Sequence, residues 1–139
     1  MQSPKIHVRD YMHPVTHFFR VDTSVEEVVK TIAKNKIVGG PVIDAANKLV
    51  GFITEQDCIK QMLNNTYYCD SHEVAADIMR KNPLSVSPDY DLLRLAEDMI
   101  NKGPKIYPVV EAEKVIGLIT RADVLKALSL AKKDMCSVK

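Results

Sequence analysis

The chain has few cysteines and no long apolar segment. Its three cysteines, Cys58, Cys69 and Cys136, form no CxxC pair, and an odd number argues against a disulfide framework, so free thiols in a reducing compartment are expected. No apolar run approaches the roughly 20 residues that span a bilayer, and the N-terminus lacks the apolar region of a signal peptide. The sequence therefore predicts a cytoplasmic protein with no membrane partner.

The chain also lacks an excess of charge of either sign. Nineteen basic and eighteen acidic side chains give a net charge of +1, which provides no bulk attraction to nucleic acid, so no nucleic-acid partner is expected. Phosphate-loop and dinucleotide-binding glycine motifs are missing, and no nucleophile, base and orienting group can be proposed. We therefore expect no enzyme and no catalytic residues.

Metal binding is not expected either. His13 and His17 are four residues apart, but Pro14 and the extended context argue against a shared helical face. Cys69 and His72 lie in a polar segment with no second ligand pair, as a structural zinc site would need. The sequence predicts no metal site and no required cofactor.

What the chain does contain is an internal repeat. A shift of 67 residues superimposes Asp10, Met12, Asp22, Pro41 and Val42 on Asp77, Met79, Asp89, Pro108 and Val109. After one residue is dropped in a turn, a shift of 66 superimposes Gly51–Asp57 on Gly117–Asp123. A fixed offset through half the chain indicates two copies of one structural unit. Because 139 residues make one ordinary domain, the copies are expected to be halves of one module.

Each copy predicts strands and helices in alternation. Ser24 followed by Glu27 predicts a helix start, and Asp89 or Asp91 is expected to cap the matching helix, which Gly103 ends. The strands are predicted at 41–44 and 49–53, and at 107–110 and 115–119, each pair followed by a helix from Thr54 and from Thr120 to about Leu130. The predicted class is α/β or α+β, with small sheets covered by helices. The tail after Ala131 is expected to fray.

The strongest local motif is Gly-x-Ile-Thr-x-x-Asp, at 51–57 and at 117–123. Thr54 and Thr120 are placed as helix N-caps, which predicts free N–H groups and a positive helix end suited to phosphate. Asp57 and Asp123 follow on the first turn, where a carboxylate could accept from two ribose hydroxyls. The alternative is purely structural, because Thr-x-x-Asp resembles a capping box that needs no ligand.

A second recurring feature is the entry into the proline strand. Proline suits a strand start, where no ladder N–H is required. Gly39 and Gly40 before Pro41 would let the backbone approach a flat ring, and Tyr107 before Pro108 offers an aromatic face at the matching place. An ordinary edge-strand start explains the same residues.

Taken together, these features resemble a tandem pair of CBS domains, also called a Bateman module. The resemblance covers residues 8–130 and rests on the Asp-x-Met entry segments, the Pro-Val strands and both Gly-x-Ile-Thr-x-x-Asp motifs. It implies two repeats, each β-α-β-β-α, packed about a pseudo-two-fold axis. It also implies a regulatory module that binds AMP, ADP, ATP or S-adenosylmethionine in clefts between the repeats.

The resemblance further implies roles for individual residues. Asp57 and Asp123 would hold ribose hydroxyls, with Thr54 and Thr120 on the ribose or phosphate side. Arg121 is the candidate phosphate counter-charge, since a guanidinium meets phosphate through two bonds. The expected adenine pocket comprises Val38, Gly40, Pro41, Lys105, Tyr107 and Pro108. Glu55 occupies the place of Arg121 in the first copy, so the Asp123 cleft is expected to favour charged nucleotides.

The expected organisation is repeat 1 at 8–65, a linker at 66–74, repeat 2 at 75–131 and a tail at 132–139. Apolar helical surface favours a homodimer. Two alternatives are a structural interaction module with no bound ligand and a regulatory fragment of a larger enzyme or transporter. Met1 and the short polar tail favour a complete chain.

Overall fold

The computed structural model describes residues 5–64 and 72–137, with side chains as far as 133. The linker predicted at 66–74 falls largely outside these residues, as do Cys69 and the side chain of Cys136. The chain divides into two compact units. We call them the Asp57 unit (Val15–Pro83 and Glu113–Val115) and the Asp123 unit (the chain through Pro14, Leu84–Ala112 and from Ile116 onward).

The Asp57 unit contains a four-stranded sheet covered by helices. In chain order its elements are β1 (Phe19–Arg20), α1 (Val25–Asn35), β2 (Gly39–Ile43), β3 (Leu49–Thr54), α2 (Glu55–Asn64), α3 (Ala75–Ile78) and β4 (Arg80–Lys81). The sheet order is β1-β2-β3-β4, with β1 parallel to β2 and the other pairs antiparallel. The core lies between helices and sheet and includes Val28, Ile32, Val42 and Ile53.

Local chemistry accounts for these element ends. The Ser24 hydroxyl accepts from the Glu27 N–H at 3.1 Å and so starts α1 as predicted. The turn between β2 and β3 is built by Asp44, whose Oδ1 accepts from the N–H groups of Ala46 and Lys48 at 2.8 and 3.0 Å. A side chain that bonds the backbone two residues on favours a tight turn. The Asp44 side chain therefore fixes the turn from which the pairing of β2 with β3 starts.

The Asp123 unit repeats this plan with shorter pairings. Its elements are a 3₁₀ turn (Val8–Asp10), α4 (Leu92–Lys102), β5 (Ile106–Glu111), β6 (Lys114–Thr120) and α5 (Arg121–Ser137). Val86 bridges Val109 of β5 in parallel, and His13 bridges Leu118 of β6 antiparallel. These single bridges lie where β1 and β4 lie in the other sheet. The mixed α and β class predicted from the sequence is confirmed.

The compact units do not follow the sequence repeats. The entry segment of repeat 1 belongs to the Asp123 unit, where Val8 is fully buried and donates from its N–H to the Tyr90 carbonyl at 3.0 Å. The entry segment of repeat 2 belongs to the Asp57 unit, where Ala75 is fully buried and donates to the Thr23 carbonyl at 2.7 Å. Each core is therefore completed by a segment from the other sequence repeat.

Two other expectations can be compared with the structure. Asp91, and not Asp89, caps α4 by accepting from the Leu93 N–H at 3.2 Å, while Asp89 pairs with Arg9. The prediction that the chain frays after Ala131 is wrong for 132–137, because α5 continues to Ser137. No glycine or proline interrupts this stretch, and its Lys and Met residues favour helix. Within the described residues, no helix is long and apolar enough to cross a bilayer.

Candidate functional site

The Thr-x-x-Asp motif of the Asp57 unit closes on itself. Asp57 Oδ2 accepts from the Thr54 N–H at 2.9 Å and from the Thr54 hydroxyl at 3.0 Å. In return, Thr54 Oγ1 accepts from the Asp57 N–H at 3.2 Å. This reciprocal arrangement is a capping box, and it fixes the carboxylate at the junction of β3 and α2.

The Asp123 unit has the same arrangement at the junction of β6 and α5. Asp123 Oδ2 accepts from the Thr120 N–H and hydroxyl at 2.9 and 3.0 Å, and Thr120 Oγ1 accepts from the Asp123 N–H at 3.2 Å. The structural interpretation of the motif is thus correct for one carboxylate oxygen in each copy. The other oxygen, Oδ1, takes no part in either capping box.

The structure corrects the expectation that the N–H groups at these helix starts are free. Besides the bonds of Thr120 and Asp123, the Arg121 N–H donates to the Lys105 carbonyl at 3.0 Å. In the Asp57 unit the Glu55 N–H likewise donates to the Val38 carbonyl at 2.8 Å. In each unit, three N–H groups at the helix start that would have met a phosphate therefore already have internal partners. Anion binding has to rely chiefly on side chains.

A basic side chain lies beside each aspartate. Arg80 donates from Nε to Asp57 Oδ1 at 3.2 Å, and His13 Nδ1 lies 3.1 Å from Asp123 Oδ2. Sequence reasoning considered His13 only as a metal ligand and did not consider Arg80. The available signal was the repeat itself, because a shift of 67 places His13 on Arg80. We call Thr54, Asp57 and Arg80 the Asp57 site, and Thr120, Asp123 and His13 the Asp123 site.

The motif glycines make room for the entry segments. A Cβ added to Gly51 would collide with the Met79 side chain, and one added to Gly117 would lie 3.1 Å from Met12 Sδ and 2.9 Å from the His13 carbonyl oxygen. At both glycines, therefore, an added side chain would come too close to the entry segment. Asp-x-Met and Gly-x-Ile-Thr-x-x-Asp are therefore two parts of one packing arrangement, which also brings the basic residue to the aspartate.

The glycines before Pro41 contact protein groups. A Cβ on Gly40 would lie 3.1 Å from the Phe19 ring, and one on Gly39 would collide with the Ile53 carbonyl oxygen. The flat ring that Gly40 admits is thus Phe19, which corrects the expectation of a ligand ring there. Pro41 and Pro108 are fully buried, whereas Val38 and Lys105 are exposed.

Tyr107 is the second correction in the expected adenine pocket. Its side chain is only 2% exposed and packs in the core of the Asp123 unit, so the expected aromatic wall is wrong. Its hydroxyl is buried without a hydrogen-bond partner among the residues that the structure describes. Burial, with the Asp98 carboxylate, raises the pKa of the Tyr107 phenol, so the ring stays neutral.

Arg121 points its charge at the chain's own backbone. Its guanidinium donates to the Gly103 carbonyl at 2.9 Å, at the end of α4, where a cation is favoured by the helix dipole. The residue is exposed, so the bond can be exchanged for another. Glu55, its counterpart, is also exposed. A phosphate role for Arg121 stays a prediction.

Cys58 follows Asp57 directly but has no part in the exposed chemistry. Its thiol is buried and free, and burial, together with the Asp57 charge, raises its pKa. A thiol with a raised pKa is a poor nucleophile and metal ligand. Within the described residues, no three His, Cys, Asp or Glu side chains gather as a metal site would require.

Two mixed α and β units with matching aspartate capping boxes define a tandem-repeat module. The CBS domain family model matches the chain twice, at residues 8–64 and 74–130. The chain belongs to the CBS domain family, as a tandem pair.

Several curated relatives are longer than this chain. An uncharacterized Methanocaldococcus jannaschii protein, MJ1225, is 27% identical over 121 residues, which are 87% of this chain and 42% of the relative. The inosine-5'-monophosphate dehydrogenase of Aquifex aeolicus is 34% identical over 117 residues, 83% of this chain and 22% of the enzyme. The chain thus spans less than half the length of either relative.

Solved structures match more completely. CBSX2 of Arabidopsis thaliana in complex with AMP has a TM-score of 0.79 and 29% identity, covering 91% of this chain and 98% of that one. The CBS domain pair of MJ0100, solved with 5'-methylthioadenosine and S-adenosyl-L-methionine, has a TM-score of 0.78 and 25% identity, with the same coverage of both chains. Every ligand in these two structures contains an adenosine unit.

Proposed function

We propose that the protein is a regulatory module that binds an adenosine-containing ligand, with a ribose hydroxyl pair on Asp57 or Asp123. The carboxylate of Asp123 carries the proposal. Its Oδ2 accepts two bonds from Thr120, while its Oδ1 has no hydrogen-bond partner in the described part of the chain. A carboxylate held rigidly by one oxygen, with the other available, is preorganised to accept hydroxyl hydrogens.

The relatives support the ligand class. CBSX2 was crystallised with AMP, and the MJ0100 pair with 5'-methylthioadenosine and S-adenosylmethionine. These ligands differ at the 5' position and share adenine and ribose. A ribose-binding carboxylate at each motif therefore fits AMP, ADP, ATP and S-adenosylmethionine alike. Thr54 and Thr120 would support the carboxylates, with no further cofactor.

We propose that the adenine contacts the residues that precede Pro41 and Pro108. Val38 and Lys105 are exposed, so we propose them as the side chains of the adenine pocket. Gly40, Pro41, Tyr107 and Pro108 would shape it from behind, because they are buried. Arg121 would reach a phosphate only by leaving the Gly103 carbonyl.

Calorimetric titration of AMP, ADP, ATP and S-adenosylmethionine tests the proposed function. At least one ligand is expected to bind. At 100 times its dissociation constant, that ligand should stabilise the fold by about 2.7 kcal/mol and raise the melting temperature. An Asp57→Asn, Asp123→Asn double variant is the matched control and should show neither effect. Unchanged heats and melting with all four ligands at millimolar concentration would contradict the proposal.

The alternative is a structural interaction module with no ligand. It is favoured by the capping boxes, which use one oxygen of each aspartate without any ligand. The titration separates the two, because a structural module has no adenosine-dependent stabilisation. In either case we propose a cytoplasmic, non-catalytic protein. A role as the regulatory part of a larger enzyme or transporter fits the longer relatives equally well.

We also propose a homodimer formed through the helices that follow each motif. Ile59 on α2 and Leu125 on α5 occupy matching places, and they are 58% and 69% exposed. Large apolar side chains exposed at equivalent positions are typical of a surface that is covered in an assembly. In a symmetric dimer, the same apolar side chains would be buried in both protomers.

Ile59→Glu combined with Leu125→Glu is expected to convert the dimer to monomers, because burying two carboxylates in each protomer's share of an apolar interface is costly. Light scattering coupled to size-exclusion chromatography measures the mass. Lys60→Glu with Lys126→Glu is a control that adds acidic charge one residue along each helix. A wild-type mass of one chain, or a double variant that stays dimeric, would contradict this assignment.

A further inference from the structure

The two proposed ribose-binding carboxylates, Asp57 and Asp123, are contacted by different basic side chains. Arg80 lies on β4 and pairs with Phe52 of β3, while His13 bridges Leu118 of β6. The positions are equivalent in fold and in sequence. Arg80 donates to Oδ1 of Asp57, whereas His13 contacts Oδ2 of Asp123. Equivalent positions in the two units therefore carry an arginine in one and a histidine in the other.

Both basic side chains are more exposed to solvent than the aspartates they contact. The side chains of Arg80 and His13 are 55% and 46% exposed, against 11% for Asp57 and 25% for Asp123. Arg80 uses only Nε in its contact, and its terminal nitrogens have no partner among the described residues. That leaves the two-pronged end of the guanidinium for an anion, and this geometry matches phosphate.

An adenosine held on either aspartate brings its 5' substituent near a negative charge. A phosphate there would be repelled unless a cation offsets the carboxylate. Arginine carries its charge at every physiological pH, whereas histidine changes charge between about pH 5 and pH 8. Among the described charged side chains, only Asp123 of α5 lies within ion-pair distance of the His13 ring. Its sheet neighbour Leu118 is apolar.

We propose that Arg80 and His13 determine whether their sites accept a phosphorylated adenosine ligand. Arg80 makes the Asp57 site selective for phosphate at any pH, and His13 makes the Asp123 site selective only when the imidazole is protonated. This inference rests on the proposed function. It reverses the expected preference, because the site with Glu55 has the permanent cation beside its aspartate.

The test compares AMP with adenosine in full-length variants that keep one carboxylate each. With Asp123→Asn, the Asp57 site should bind AMP about tenfold more tightly than adenosine at both pH 6 and pH 8. Adding Arg80→Gln should remove that preference and change adenosine affinity by less than about threefold. Calorimetry gives both dissociation constants. Proton uptake is read from buffers of different ionisation enthalpy.

With Asp57→Asn, the AMP preference of the Asp123 site should be about fivefold greater at pH 6 than at pH 8. The AMP phosphate also gains a proton in this range, so His13→Gln is the reference, and the difference between the two proteins isolates the imidazole. His13→Arg is the gain-of-function variant. It should raise the AMP preference at pH 8 to its value at pH 6.

Each other outcome is informative. Equal losses of AMP and adenosine in Arg80→Gln would overturn the proposal and leave Arg80 as a support for Asp57. A phosphate preference that disappears in Arg121→Ala and persists without Arg80 and His13 would assign it to Arg121. If the Asp57→Asn, Asp123→Asn double variant binds adenosine as the wild type does, or nothing binds at all, the proposed function fails and this inference fails with it.

Discussion

Asp123→Ala is expected to abolish adenosine binding at the Asp123 site and to lower the free energy of unfolding by about 2 kcal/mol. The stability loss follows because Oδ2 of this carboxylate satisfies both polar groups of Thr120 at the start of α5. The binding loss follows because the proposed ribose acceptor is gone. Denaturant unfolding and calorimetry with adenosine, in an Asp57→Asn background, measure the two effects.

Asp123→Asn separates these roles. The amide keeps the shape and one acceptor oxygen, so unfolding should change by no more than about 1 kcal/mol. Loss of the charged acceptor should still weaken adenosine binding by a factor of about ten or more. Asp91→Ala is the matched control, because Asp91 caps α4 outside either site. It should cost about 1 kcal/mol and leave binding unchanged. In the Asp57→Asn background, equal adenosine affinities with Asp123 and with Asn at position 123 would exclude a ribose role for this carboxylate.

Gly39→Ala is expected to destabilise the protein by about 3 kcal/mol. The added methyl group would meet the Ile53 carbonyl oxygen and lie 2.9 Å from Thr54 Cα. Both are backbone atoms of β3 just before α2, whose first turn carries Asp57. The strand cannot give way as a flexible side chain would, so β2 and β3 would separate locally. Thermal and denaturant unfolding measure the loss, and the Asp57 site should weaken with it.

Gly103→Ala provides the comparison for this effect. Gly103 ends α4 in the left-handed conformation, with φ +92°, and nothing lies within 4 Å of an added Cβ. Only backbone strain of about 1 kcal/mol is therefore expected. If Gly39→Ala costs no more than Gly103→Ala, the close approach of β2 to Thr54 does not constrain the fold.

The features that could be predicted from the sequence are local ones. Ser24 starts α1 and Gly103 ends α4, because each acts on backbone groups within four residues of itself. The Thr-x-x-Asp spacing likewise predicts the capping box. Such contacts depend on spacing alone, and the sequence states spacing directly.

The exchange of entry segments could not be predicted in this way. An offset of 67 residues is the same whether Val8 packs on its own repeat or on the other. Burial decides between them, because the pocket for Val8 is lined by Leu92 and Leu95 of α4. For the same reason the partners of Asp57 and Asp123 were missed. Tyr107 was misjudged because an aromatic side chain before a proline suits a core as well as a ligand wall.

The exchanged segments affect how the chain can fold as it is synthesised. Val8 and His13 are synthesised well before their partners Leu92, Leu118 and Asp123. Contacts so distant in sequence slow folding, since a long loop must close before they form. The Asp57 unit lies mostly within Val15–Pro83, so most of it can assemble while the second repeat is still being synthesised. We therefore expect the Asp57 site to form first and the Asp123 site to become functional only after α5 has been synthesised.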